Sequence, residues 1–167
     1  ILRRADQEES SPMEGGKLLT MAGASTGAAM ATVGDLIVQP DVRSGYHLHP
    51  NTEEAIFVVE GEMEFRVGTA RFKASSGDCV LAPAGIGHGL ENVGASAARL
   101  ITIYPTAEPV REALQDVEYT DGDAPSTVFV RSENEPYEFM PGVSRYDMVG
   151  DFLGSASLYL SELTFAP

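Results

Sequence analysis

Residues 44–61 read SGYHLHPNTEEAIFVVEG and residues 77–92 read GDCVLAPAGIGHGLEN; together they hold all three histidines of the chain. On a strand, residues two apart share a face, so His47 and His49 can direct both imidazoles to one side while Leu48 points away. Glu54 lies beyond a Pro50-Asn51-Thr52 turn, which lets the chain reverse and return a carboxylate toward those rings. His88, in the second stretch, is the fourth candidate ligand. Three neutral imidazoles and one carboxylate form a borderline N/O donor set, suited to one divalent ion among Mn, Fe, Ni, Co and Zn and lacking the thiolates of most structural zinc sites. An octahedral ion held this way keeps two positions open for water, dioxygen or a chelating substrate.

These residues resemble the two motifs of the cupin superfamily. The first is carried by His47, His49, Glu54 and Gly61, and the second by Gly77, Pro83, Gly85, His88 and Asn92. The second is matched at every fixed position, and the gap between Gly61 and Gly77 is similar to that of small bacterial cupins. The resemblance covers roughly residues 27–104 and implies an RmlC-like double-stranded β-helix, a jelly-roll barrel, with the metal inside. One departure lies upstream: the family pattern has Gly six residues before the first His, where this chain has Asp41, and the turn is assigned here to Gly45.

Outward from the motifs, the pattern is all-β. Met63, Phe65 and Val67 alternate with Glu62, Glu64 and Arg66, as in a half-buried antiparallel strand. Short strands are expected at 17–21, 28–39, 55–60, 70–74, 80–82, 97–104 and 126–131, with turn residues between them, as in a closed sandwich or barrel. Residues 1–16 read as a flexible lead-in, 17–104 as the barrel, 105–125 as a helix and linker, and 126–167 as extra C-terminal strands. The helix is expected because Pro109 suits a first turn and Val110, Ala113, Leu114 and Val117 follow the i, i+3, i+4, i+7 spacing.

The tail carries a repeat. MVGDFLGSASLYLSELTFAP, residues 148–167, aligns without a gap to MAGASTGAAMATVGDLIVQP, residues 21–40. The tail therefore looks like the opening strands of a second cupin, and bicupin-like ancestry with one metal site is expected. Such strands must bury against their own barrel or across a dimer interface; a homodimer with exchanged strands is the expectation.

Composition excludes some partners. The 167 residues hold 25 acids and 11 bases, a net charge of −14, with Lys17 and Lys73 the only lysines. Nucleic acid and anionic membrane surfaces would be repelled. An acidic, lysine-poor surface also suits a salt-rich, halophile-like interior, where screening removes self-repulsion. The melting temperature should then climb steeply with KCl; a flat response would remove the idea. The single cysteine, Cys79, excludes an internal disulfide, and no apolar run follows the first two arginines, so a cytoplasmic setting is expected. Cys79 is read as core packing.

The resemblance implies a metal-dependent enzyme on a small molecule, of dioxygenase, decarboxylase or isomerase type. The alternative is a non-catalytic metal or metabolite binder, a sensor or store. A metal-free sugar isomerase is disfavoured by the intact ligand set. With every histidine committed to the metal, no free imidazole remains as a general base, and no catalytic residue is assigned. Arg43, Tyr46, Arg66, Arg99 and Tyr104 lie near the pocket strands in sequence and are the substrate-binding candidates; an inward arginine would favour a carboxylate or phosphate.

Overall fold

The computed structural model describes residue 7 and residues 9–166. In chain order the strands are β1 Glu9–Ser10, β2 Gly16–Ala22, β3 Thr32–Val38, β4 His47–Leu48, β5 Glu54–Glu60, β6 Glu62–Val67, β7 Ala70–Ser75 and β8 Cys79–Ala82. They continue as β9 His88–Asn92, β10 Ala98–Tyr104, β11 Glu112–Ala113, β12 Thr120–Asp121, β13 Val128–Phe129, β14 Tyr137–Met140, β15 Val143–Val149 and β16 Leu160–Phe165. One sheet runs β1-β2-β3-β10-β5-β8-β13, a second β11-β4-β9-β6-β7-β12, and a third β14-β15-β16. The first two enclose one core, in which Val38, Ile56, Val58 and Leu100 of one sheet meet Met63, Phe65, Phe72 and Leu90 of the other. This is the all-β jelly roll that the alternation predicts.

Both faces of β5 and β8 are covered. Ile56, Val58 and Val80 point into the barrel, while Ala55, Cys79 and Leu81 point outward against Met148 and Val149 of β15. Cys79 is therefore a packing residue, and burial pushes its thiol up to about 12.

The tail repeat is realised in three dimensions. Every β2–β3 pairing recurs at the aligned positions of β15–β16: Leu18↔Leu36 becomes Arg145↔Leu163, and the slip between Thr20 and Ala22 recurs between Asp147 and Val149. Each copy turns through one 3-10 helix closed by a left-handed glycine, Gly27 at φ 85° and Gly154 at φ 84°. The correspondence also extends upstream of Met21, where β1 pairs with β2 as β14 pairs with β15, and Met13 and Gly15 align with Met140 and Gly142. Pro167, part of the sequence match, lies outside the described residues.

Three expectations are corrected. No α-helix forms over residues 105–125; Val110, Leu114 and Val117 stay exposed. A helix this short is marginal in water, and its backbone groups have better partners. Val110 N–H donates to Asn51 Oδ1, and β11 pairs with β4. The segment is an extended strap across the barrel mouth. Second, the lead-in is in part a sheet edge, since β1 pairs with β2 and Met13 packs on the core; residues 1–6 and 8 lie outside the described residues. Third, Asp41 itself takes the left-handed conformation, at φ 62°, and Gly45 is not among the positive-φ residues. Aspartate tolerates that region better than most side chains.

Candidate metal centre

The site is built where the two motifs meet. His47 on β4 stands directly opposite His88 on β9, His49 follows two residues on, and Glu54 opens β5. One donor atom from each of the four lies within 4.8 Å of all the others. The remaining motif residues shape the loops. Asn92 is buried and its amide donates to the carbonyls of Val38 and Ser96. Gly85 N–H donates to His49 O, tying the second motif's loop to a candidate ligand, and Gly85 turns at φ 75°. Pro83 O accepts from Ile86 in the same turn. Gly61 and Gly77 also have positive φ, and a Cβ at Gly61 would meet Ala98 at 2.7 Å.

All three imidazoles are oriented alike. Nδ1 of His47 contacts Gly45 O at 2.9 Å, that of His49 contacts Val110 O at 2.6 Å, and that of His88 contacts Ile86 O at 3.0 Å. A carbonyl can only accept, so each Nδ1 carries a proton, and Nε2 is the atom directed at the cluster. A backbone carbonyl on the far nitrogen is the usual outer-shell arrangement of a metal-binding imidazole. His49 Nε2 is buried without a hydrogen-bond partner, 3.4 Å from Glu54 Oε2. With its proton on Nδ1 it has no hydrogen to donate there, and an orphaned buried acceptor costs about 1–3 kcal/mol. A divalent ion at the centre would satisfy it, so the residues fit the metal that the donor chemistry implies.

The electrostatics agree. Burial raises the Glu54 carboxyl, but the hydrogen bonds from His88, 2.9 Å from Oε2, and from the Tyr104 hydroxyl, 2.6 Å from Oε1, outweigh it and hold Glu54 well below the carboxylate range. Burial and the neighbouring His88 bring His47 down to about 4, so it is neutral at pH 7 and available as a ligand. Burial lowers His88 too, yet the hydrogen bond to Glu54 at 2.9 Å reverses the sign and leaves it raised.

These shifts set a pH profile for protein stripped of metal. Below its unfolded value of about 6.5, His47 is protonated in the unfolded chain but not in the fold, so stability falls from about pH 6.5 toward 4. His88 contributes fully below about 6.5, and that contribution is lost as pH rises through its raised value. Chemical denaturation of chelator-treated protein should therefore give its highest midpoint near pH 6.5. A midpoint that keeps rising down to about pH 4.5 would contradict the assignment.

The donors line a cavity of about 240 Å³ whose other walls are mostly apolar, including Met13, Leu36, Ile56 and Leu90. Tyr104 lines it; Arg43, Tyr46, Arg66 and Arg99 do not. Arg43 and the buried Arg66 both bind Asp116 and so fasten the strap to the barrel. Arg99 forks onto the buried Asp35 of β3, and Tyr46 donates to Gly68 O. The guanidinium that lines the cavity belongs to Arg111 of the strap, which is not among the sequence candidates.

Known proteins give the same picture. Residues 34–104 match the Cupin domain family. The chain is 32% identical over 105 residues to Protein SchB of Streptomyces halstedii, covering 62% of this chain and 76% of that protein. It is 32% identical over 102 residues to Polyketide synthase CurC of Streptomyces cyaneus, covering 59% and 66%. Among solved structures, the polyketide cyclase RemF from Streptomyces resistomycificus superposes at TM-score 0.59 with 18% identity, covering 71% of this chain and 87% of that one. Oxalate decarboxylase of Lactobacillus farciminis, in its formate complex, superposes at 0.60 with 20% identity over 66% of this chain, which spans only 34% of that chain. At these identities the structural likeness speaks for the fold alone. With the family match, the two relatives and the convergent motif residues together, the chain belongs to the cupin superfamily.

Proposed function

We propose that this chain is a metal-dependent cupin enzyme acting on a small molecule, and that the substrate is a largely apolar polyketide-type chain that it cyclises. The observation that carries the reading is the orphaned Nε2 of His49 among donors that converge on an apolar cavity. The substrate class is supported by the names of CurC and RemF. When bound, a divalent ion here would act as a Lewis acid on a substrate carbonyl oxygen. The chain supplies the rest. Apolar walls exclude water and hold the chain folded on itself, and proximity of the reacting carbons does much of the work in an intramolecular bond-forming step. Burial, then the Glu54 charge, keep Tyr104 far above the ordinary phenol range. It therefore stays a donor, holding Glu54 in place, and is not the base.

The test begins with elemental analysis of protein purified without an affinity tag. Reconstituted protein is then given a synthetic linear poly-β-ketone thioester, with cyclised product followed by absorbance and mass. Product formed only with metal bound supports the reading. Bound metal with dioxygen uptake and no cyclisation replaces it with oxygenase chemistry. Bound metal with no turnover of either kind replaces it with a binding role, and failure to take up metal removes it.

The C-terminal sheet supports a homodimer. In the first copy β3 pairs on both sides, with β2 and β10, whereas its counterpart β16 pairs only with β15 among the described residues. Its Leu163 and Phe165 are exposed, and an open apolar edge favours pairing with a second chain. Light scattering should give twice the chain mass; a monomer at every concentration would count against it.

A further inference from the structure

The cavity is lined by a positive charge that no carboxylate among the described residues neutralises. Acids outnumber bases by more than two to one, and six of the seven described arginines are accordingly paired with a carboxylate: Arg43, Arg66, Arg71, Arg99, Arg131 and Arg145. Arg111 is the exception among the described residues, and it lines the cavity beside His47, His49 and His88.

Its backbone position is fixed from both sides. On one side, Asn51 clamps the strap: its Oδ1 accepts from Val110 N–H and its Nδ2 donates to Glu108 O, both at 3.0 Å. On the other, Glu112 pairs with Leu48, and Leu114 N–H donates to Tyr46 O. Between these fixed points the chain is extended, and Pro109 and Arg111 line the cavity, Arg111 at its solvent-exposed rim. An exposed guanidinium at the rim of a cavity lined by imidazole donors, with no carboxylate partner among the described residues, is placed to take an anionic group from a bound ligand. Glu54 bonds His88 and Tyr104 and makes no ion pair with Arg111.

We propose that Arg111 anchors an anionic oxygen of the ligand, a carboxylate or an enolate on an otherwise apolar molecule, over the metal centre. The site is then selective: apolar walls take the body of the ligand, and the planar guanidinium fork takes its acidic group. This rests on the metal-centre reading for what lies on the other side of the ligand, while the anchor itself needs only the strap and the cavity.

Calorimetric titration of the full chain with 1-naphthoate and with its neutral isostere 1-naphthamide tests it, on zinc-loaded and on chelator-treated protein. The naphthoate should bind roughly ten- to a hundred-fold tighter than the amide. Arg111→Gln should remove that preference, Arg111→Lys should keep part of it, and Lys73→Gln, on an outer strand, should leave it unchanged. Metal content is measured on every sample, so that a lost preference is not mistaken for lost metal. No preference in the unaltered protein, no measurable binding of naphthoate, or a preference that survives in R111Q would each overturn the anchor. If the chain takes up no zinc yet shows an Arg111-dependent preference, the anchor stands and the metal reading falls.

Discussion

Replacing His88 by alanine should abolish stoichiometric metal uptake and also destabilise the protein before any metal is added. The two effects have separate causes. Loss of an outer-shell partner of a metal ligand typically costs 10- to 100-fold in affinity, and loss of one of four inner donors should exceed that. The stability loss follows from Glu54, whose carboxylate is buried and held by His88 Nε2 at 2.9 Å and Tyr104 Oη at 2.6 Å. Removing one partner of a buried charged pair costs about 3–5 kcal/mol, because the remaining charge is stranded.

A double substitution separates the two effects. In His88→Ala with Glu54→Gln no charge is stranded, so much of the stability should return while metal uptake stays absent. Thermal melts and metal titration on the same samples give both readings. Stoichiometric metal retained by the single variant would exclude His88 as a ligand. A single variant as stable as the parent would show that Glu54 does not depend on it.

The four donors could be read from sequence because the spacing rules are local. A strand's two-residue period places His47 and His49 together, and one hairpin turn returns Glu54 to them. The second motif's Gly77, Pro83, Gly85 and Asn92 specify the turns that bring His88 opposite. What could not be read depends on partners far away in the chain. The 110–117 stripe has a helical period, but Asn51 and β4, some sixty residues earlier, claim its backbone, and nothing in that spacing marks Arg111 as a cavity residue. The arginines nearest the motifs in sequence fared differently: Arg43 and Arg66 find Asp116 in the strap, and Arg99 finds Asp35 across a sheet. Proximity in sequence carries no information about which face of a β-layer a side chain occupies. The tail repeat was visible only from residue 21 onward. Its earlier part is conserved as register and left-handed glycines, Gly15 at φ 76° and Gly142 at φ 79°, more than as matched side chains.

Glu53→Ala should free the repeated C-terminal sheet from the barrel. Glu53 is adjacent to Glu54 but faces the other way, and its buried carboxylate accepts from four donors in the β15–β16 connection. These are Ser155 Oγ at 2.8 Å and the N–H groups of Ala156 at 3.0 Å, Ser157 at 2.8 Å and Leu158 at 3.0 Å. Hydrogen bonds to a charged group contribute about 1.5–3 kcal/mol each, though not additively, so a loss of about 3 kcal/mol or more is expected. In a chain of this size that corresponds to a melting temperature lower by roughly 6–12 °C. The loss should also be regional. Apart from Glu53, the sheet is held mainly by Met148 and Val149 against Ala55, Cys79, Leu81 and Phe129, and by the Arg131–Glu162 pair. Hydrogen exchange should therefore rise across β14–β16 while β6, β7 and β9 keep their protection. Uniform loss of protection would mean that barrel and tail fold as one cooperative unit, with Glu53 serving the whole. Unchanged exchange in β14–β16 would mean that the apolar contact alone holds the tail. Because Glu54 is the next residue and opens β5, metal titration of the variant adds the deciding observation: uptake like that of the parent makes the second copy a passenger on the barrel, whereas weakened uptake makes it a brace for the carboxylate at the candidate metal centre.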